Sequence, residues 1–164
     1  MIKLRALEPD DLDLLFTVEN DPSVWWTGNT NVPYSRQFLS NYILSTTGDI
    51  YTDKQLRLVI ESDSNPVGLI DLSNFDPKNL RAEIGIVITK EYQNQGVASR
   101  AIELLEEYCF EVLHLHQLYA IIPQENNPSF NLFTKCGFTT QSLLVDWVID
   151  GKNFQNAYLV QKFL

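Results

Sequence analysis

The apolar residues of this chain recur with two different periods, and these periods divide it into strands and helices. Segments that alternate between apolar and polar residues, or that are apolar throughout, predict strands, whereas apolar residues three or four positions apart predict helices. The predicted strands cover residues 2–7, 55–61, 67–74, 81–88, 117–123, 143–149 and 154–163. Four helices are predicted. The first starts at Pro9, the second covers residues 34–44, the third runs from the loop at 93–98 to residue 115, and the fourth covers residues 127–135.

The order of these elements is β-α-α-β-β-β-α-β-α-β-β, which predicts an α+β fold. Three consecutive strands favour antiparallel pairing, and the strand–helix–strand unit over residues 81–123 requires a parallel, right-handed crossover. We therefore expect one mixed sheet flanked by helices, in a single domain covering residues 1–164.

The loop at residues 93–98 lies between an apolar strand and a long amphipathic helix. A helix start exposes unpaired N–H groups and the positive end of the macrodipole, so it can hold an anion such as a phosphate. The first turn carries Gly96, Ser99 and Arg100, and the acidic residues of the helix begin only at Glu103. The turn therefore indicates either an anion site or a helix that simply lacks an acidic cap.

Two well-known phosphate loops do not fit this segment. A Walker loop needs a Gly-Lys-Ser/Thr sequence at the helix start, and no lysine is present here. A dinucleotide fingerprint needs three spaced glycines early in a βαβ unit, whereas this loop holds Gly96 alone and lies past the middle of the chain.

Composition narrows the class of protein further. The chain has 164 residues, 45% of them hydrophobic, and its 12 basic and 21 acidic residues give a net charge of −9. This balance is typical of a globular domain and argues against nucleic-acid binding, which needs a basic face. No segment resembles a membrane span or a signal peptide, so we expect no membrane partner and a cytoplasmic protein. Cys109 and Cys136 are expected to be buried thiols, and no Cys/His cluster has the spacing of a metal site.

With the loop, the helix and the next strand in place, the chain resembles the GNAT acyltransferase superfamily. The family pattern Gln/Arg-x-x-Gly-x-Gly/Ala is matched by Gln93, Gly96 and Ala98. A second match runs from Glu125-Asn126 to Lys135-Cys136-Gly137-Phe138. The ending from Trp147 to Asn156 resembles the spermidine and ribosomal-protein N-acetyltransferase branches, and the spermidine branch is the more similar.

The resemblance implies acetyl-CoA as the ligand and a sheet that splits between the fourth and fifth strands. The pantetheine arm would lie in the split and pair with the backbone of Ile86 and Ile88, while the N–H near Val87 would stabilise the oxyanion. Asn126 matches the asparagine that contacts the arm, with Ser129 and Phe133 on the helix beside it. The pyrophosphate would bind the loop and helix start, which comprise Gln93, Asn94, Gln95, Gly96, Val97, Ala98, Ser99 and Arg100.

Acetyl transfer to an amine requires that an ammonium with a pKa of about 10.4 first lose a proton. Glu83 lies on the strand that leads to the acyl site and is our candidate for the general base, acting through water. A surface glutamate paired with Arg81 is the alternative interpretation of this residue.

The family commonly supplies a tyrosine that protonates the leaving thiolate, and this chain has Phe133 at that position. Phenylalanine has the ring without the hydroxyl, so it cannot donate a proton. Water, Ser129 or Tyr92 are the alternative donors, and a thiol with a pKa of about 8.5 leaves tolerably without help. We therefore expect slower or differently organised catalysis.

The acceptor is expected between the loop after the first helix, the second helix and the C-terminal hairpin. Aromatic walls suit cationic amines. The candidate wall residues are Trp25, Trp26, Tyr34 and Trp147, and the candidate acids are Glu19, Asp21 and Asp49. The resemblance implies a polyamine or another small cationic amine as the acceptor, and a homo-oligomer. The alternatives are acetylation of a protein or peptide N-terminus, and an acyl-CoA-binding module with weakened catalysis.

Overall fold

The computed structural model describes residues 1–25 and 32–164. The described part of the chain forms seven strands, six α-helices and 3-10 turns at Pro9–Asp11 and Lys90–Tyr92. The strands are β1 (Ile2–Ala6), β2 (Leu56–Ser62), β3 (Asn65–Asp76), β4 (Arg81–Ile88), β5 (Gln117–Pro123), β6 (Thr139–Asp150) and β7 (Asn153–Phe163). The helices are α1 (Leu12–Glu19), α2 (Pro22–Trp25), α3 (Arg36–Ser45), α4 (Ile50–Asp53), α5 (Val97–Glu111) and α6 (Asn127–Lys135).

The strands form one sheet in the order β1-β2-β3-β4-β5-β7-β6. All neighbours pair antiparallel except β4 and β5, which pair in parallel at three positions that end with Glu83 opposite Tyr119. Beyond that pair the two strands separate, so β4 runs from Ile84 to Ile88 without a partner on the β5 side. The predicted mixed sheet and its split between the fourth and fifth strands are confirmed.

The two faces of the sheet carry separate cores. On one face, α5 and α6 cover a large apolar cluster that includes Ile84, Ile102 and Leu118. On the other face, α1 and α3 cover a smaller cluster around Leu15 and Val59. Successive residues of a strand point to opposite faces, so the site residues of β4 are divided between these two sides.

Several predicted boundaries are wrong by a few residues. The long helix ends at Glu111, before His114, which takes the left-handed conformation (φ +54°). The strand predicted from residue 143 begins at Thr139. In α3, predicted from residue 34, the helix begins at Arg36; its buried residues are Leu39 and Ile43, and Phe38 is 54% exposed. No described helix is both long enough and apolar enough to cross a membrane.

Gly68 on β3 lies where the neighbouring strand leaves no room for a side chain. A Cβ atom there would be 2.4 Å from the Val87 carbonyl oxygen and 3.2 Å from the Ile88 Cα, and both are backbone atoms. We expect Gly68→Ala to lower the free energy of unfolding by about 1–3 kcal/mol, because the strands must move apart. Urea denaturation at fixed protein concentration measures this loss.

Gly85 on β4 provides the matched control, since a Cβ there would have no heavy atom within 4 Å. Gly85→Ala should leave the free energy of unfolding within about 0.5 kcal/mol of the original value. Equal stability of the two variants would contradict the close contact of β3 and β4 at Gly68.

Candidate functional site

The open edge of β4 presents backbone groups to the split. The Thr89 N–H donates to the Val67 carbonyl at 2.9 Å, and the register from there pairs Ile88 with Gly68 and Val87 with Leu69. Hydrogen-bonded and non-hydrogen-bonded pairs alternate along antiparallel strands. The backbone of Val87 therefore bonds to β3, whereas the backbones of Ile86 and Ile88 face the split.

This register directs the backbone of Ile86 and Ile88 at the split, where pairing with a ligand is expected, and directs the Val87 backbone at β3, against the expectation for Val87. The N–H of Val87 is directed at Leu69 and is not available to a ligand in the split. The N–H groups of Ile86 and Ile88 are the candidates for an oxyanion donor on this strand. The Ile88 carbonyl accepts a hydrogen bond from the Gln93 side chain at 2.9 Å, which fixes the start of the anion loop against β4.

The start of α5 has the properties of an anion site. Gly96 is the N-cap, with φ +80°, and no side chain caps the helix. Its first turn contains no acidic residue to offset the positive end of the helix dipole, and the unpaired N–H groups of a helix start point toward the preceding loop. Asn94 is also left-handed (φ +60°), and the Gln95 side chain donates to the Glu91 carbonyl at 2.7 Å. Within the described residues, this turn and the adjoining edge of β4 both present backbone groups that an extended phosphate-bearing ligand can bind.

Arg100 forms exposed ion pairs within α5, and its contribution to the anion site stays a prediction. Its guanidinium lies 2.9 Å from the Glu103 carboxylate and 3.6 Å from that of Glu107. These carboxylates draw the charge toward the second turn of α5. Val97 is buried, and Ala98 and Ser99 are half-buried on the inward side of the turn.

Helix α6 places its predicted site residues around its start and its buried face. The Asn126 side chain caps the helix by accepting a hydrogen bond from the Ser129 N–H at 3.4 Å. Phe133 is only 3% exposed, and its ring meets Phe138 edge-on with centroids 5.0 Å apart. Tyr92 is half-buried against the core of the same face. The predicted site residues on this face, Asn126, Ser129, Phe133 and Tyr92, do not line the cleft that lies on the opposite face of the sheet.

A cleft of about 620 Å³ lies on the α1 and α3 face of the sheet. Its walls include Gly85, Ile86 and Val87 of β4 and Ile121 and Pro123 of β5, so it opens onto the split. The space beside Gly85 is free of other atoms. A ligand in the split can therefore meet a second molecule that enters from this face.

The cleft contains a compact group of charges. Arg57 binds Asp71 through two hydrogen bonds of 2.8 and 2.9 Å, and binds Glu19 at 2.6 Å. Burial alone would lower the pKa of Arg57, but the charge and hydrogen bonds of Asp71 and the charge of Glu19 hold it above its ordinary value. Burial also raises the pKa of Tyr42, whose ring lies 5.7 Å from the guanidinium. Arg57 therefore stays charged and holds both carboxylates.

Glu83 lies on the wall of the cleft at the last paired position of β4. Its Oε2 accepts a hydrogen bond of 2.7 Å from the Asn74 side chain. Arg81, the partner in the alternative interpretation, is bound to Asp76 at 3.2 Å. The structure therefore places the Glu83 carboxylate beside the split, bound to a neutral side chain and, among the described residues, without an ion pair.

The structure separates the predicted acceptor residues into two groups. Glu19, Trp25 and Trp147 line the cleft. Tyr34 stacks on Phe38 away from it, and Asp21 forms a turn with Ser23 and an ion pair with Lys90. Asp49 caps α4. Trp26 lies outside the described residues.

Sequence reasoning missed Arg57, Asp71 and Asn74. Arg57 and Asp71 are charged residues that interrupt apolar runs, at residues 56–60 of β2 and 67–72 of β3, and that is the signal by which they could have been found. Both cysteines are free thiols; Cys109 is buried as expected, whereas Cys136 is only half-buried. Burial raises the pKa of Cys109 to about 12 and also raises that of Cys136.

A family model for the acetyltransferase (GNAT) domain matches residues 2–139. A spermidine N(1)-acetyltransferase of Escherichia coli K12 is 32% identical, and the alignment covers 98% of this chain and 89% of that protein. A putative ribosomal N-acetyltransferase, YdaF of Bacillus subtilis, is 28% identical over 96% of this chain and 88% of its own length.

Solved structures are similar over nearly the whole chain. A spermidine N-acetyltransferase from Vibrio cholerae, crystallised with CoA and spermine, superposes with a TM-score of 0.89 at 26% identity, covering 99% of this chain and 95% of that one. A dodecameric structure of the Vibrio cholerae spermidine N-acetyltransferase superposes with a TM-score of 0.82 at 28% identity, with 99% and 93% covered.

Proposed function

Because this chain belongs to the GNAT acetyltransferase family, we propose that it transfers the acetyl group of acetyl-CoA to a primary amine of a polyamine or another small cationic amine. The observation that carries the choice of acceptor is the charge of the cleft. Among its described lining residues are the acids Glu19, Asp71 and Glu83, against a single base, Arg57. A cationic amine entering this cleft moves toward an excess of negative charge.

The start of α5 and the free edge of β4 both present unpaired backbone groups, and these groups are the ones that we propose hold acetyl-CoA. The N–H groups at the start of α5, from Gly96 onward, hold the pyrophosphate, and the backbone of Ile86 and Ile88 holds the arm beside the split. Acetyl-CoA supplies the thioester. The N–H groups on this edge of β4 stabilise the negative charge that develops on its carbonyl oxygen.

The proton acceptor lies on the α1 and α3 face of the sheet, in the cleft. Glu83 takes a proton from the ammonium, directly or through one water, and the free amine then forms the new C–N bond as the C–S bond breaks. The thiolate leaves toward the α6 side, where Phe133 offers no proton. Water supplies that proton and regains one from the nitrogen, which loses its second proton as the amide forms. Ser129 and Tyr92 are the alternative donors on the same face.

The experiment is an amine panel with acetyl-CoA, read by release of free CoA thiol, containing spermidine, spermine and a basic peptide with a free N-terminus. We expect turnover with the polyamines and much less with the peptide, because the cleft holds only about 620 Å³.

Each other outcome has a distinct meaning. Turnover of the peptide alone would indicate a protein N-terminal acetyltransferase instead. Binding of acetyl-CoA without turnover of any amine would indicate an acyl-CoA-binding module. Failure to bind acetyl-CoA would overturn the proposed function altogether.

We also propose a homo-oligomer in the cytoplasm. The exposed edge strand β6 carries apolar side chains at alternate positions, with Leu143, Val145 and Ile149 each at least 45% exposed. Such an edge favours pairing with another chain. The dodecameric structure of the Vibrio cholerae protein supports the proposal of an oligomer. The cytoplasm supplies a reducing environment that suits two free thiols.

A further inference from the structure

Strand β3 is irregular beside the candidate base. Its pairing with β4 shifts between Ser73 and Asp76, and within this bulge Asn74 adopts the left-handed conformation (φ +47°). Asparagine tolerates this conformation better than most residues with a side chain. Bulges of this kind re-aim a side chain and are frequent next to active sites.

The side chain that the bulge re-aims is directed at Glu83. The Asn74 amide nitrogen lies 2.7 Å from Glu83 Oε2, which is a short hydrogen bond to a charged acceptor. Within the described residues, Glu83 Oε1 receives no hydrogen bond, so one oxygen is held and the other remains free. A carboxylate with one oxygen held and the other free accepts a proton from a defined direction, which suits a general base.

Tyr119 completes the surroundings of the carboxylate. It lies opposite Glu83 at the last pair before the sheet splits. Burial raises the pKa of Tyr119, and the neighbouring charge of Glu83 adds to that rise. Asn74 also forms a side-chain hydrogen bond with Tyr119, so its amide lies between the phenol and the Glu83 carboxylate and contacts both.

We infer that Asn74 is a positioning residue for acetyl transfer, which holds Glu83 by Oε2 so that Oε1 faces the incoming amine. This inference rests on the proposed function. It adds a role for a residue that is not among those lining the cleft and that acts through the Glu83 carboxylate.

The test uses two variants that keep the left-handed backbone. Asn74→Gly removes the amide, and Asn74→Asp keeps the shape but replaces the donor by a second carboxylate next to Glu83. We expect Asn74→Gly to lower kcat for the preferred amine about tenfold, in line with a hydrogen bond to a charged group. Asn74→Asp should lower it further. The KM for acetyl-CoA should not change in either variant, since its binding edge lies elsewhere.

A double-mutant cycle separates positioning from a general structural effect. In a Glu83→Ala background the Asn74→Gly change should have no additional effect on kcat, because the group that Asn74 holds is gone. Multiplicative losses, or a raised KM for acetyl-CoA with kcat retained, would overturn the inference while leaving the acetyltransferase activity established. A wild-type protein inactive toward every amine would instead overturn the proposed function.

Discussion

Replacing Glu83 by glutamine is expected to lower kcat for polyamine acetylation by about 100-fold or more, which is the usual contribution of a positioned general base. The glutamine amide keeps the size of the side chain and can still accept the Asn74 hydrogen bond, so the cleft is preserved. The group that takes the proton from the ammonium is lost. Steady-state kinetics with spermidine and with acetyl-CoA measures the effect.

The basicity of the acceptor distinguishes a base from an electrostatic anchor. A weakly basic amine whose pKa lies below about 7 is already neutral at pH 8 and needs no base. We expect the defect of Glu83→Gln to shrink strongly for such an acceptor. If Glu83 only attracts the cation, the substitution should instead raise KM for the polyamine and leave kcat almost unchanged.

Glu111→Gln is the matched control, because Glu111 is the exposed last residue of α5 and lies outside the cleft. It removes the same charge and should leave both kinetic constants unchanged. Equal losses in the two variants would assign the effect to the overall charge of the protein and contradict the role of Glu83.

The central unit of the fold could be predicted because its signals are local. The apolar run before the loop, Gly96 at the turn and the long apolar stripe of α5 specify strand, loop and helix within some thirty residues. The parallel crossover follows from chain connectivity. The four-residue helices α2 and α4 have too few residues to show a helical period. The end of α5 depends on the left-handed turn at His114, which no apolar pattern marks.

The part of the site that binds the acetyl donor could be predicted for the same reason, whereas the part that binds the acceptor amine could not. The open edge of β4 and the start of α5 are backbone features that follow from the elements themselves. The group of Glu19, Arg57 and Asp71 joins residues up to 52 positions apart, and only the register of β2 and β3 brings Arg57 opposite Asp71. The bulge that turns Asn74 toward Glu83 is likewise a property of strand pairing.

Restoring a tyrosine at position 133 is expected to raise turnover, because a phenol at the family's usual position can protonate the leaving thiolate. A positioned acid typically contributes about 100-fold or more, and wild-type catalysis must depend on water or a less well-placed donor. Phe133→Tyr should therefore increase kcat for the best amine by about tenfold or more, with KM for the amine almost unchanged. Single-turnover measurements of CoA release check the chemical step directly.

The burial of Phe133 determines where the gain can come from. The ring is 3% exposed and packs edge-on against Phe138, so a new hydroxyl without a partner would cost about 1–3 kcal/mol of stability. If the hydroxyl reaches the thioester, binding of CoA supplies the partner, and CoA should stabilise the variant more than the wild type in thermal melts. Phe138→Tyr places the same hydroxyl on the ring partner and should give no gain in kcat. An unchanged or lower turnover in Phe133→Tyr would show that this chain protonates its leaving group by a route that does not involve position 133.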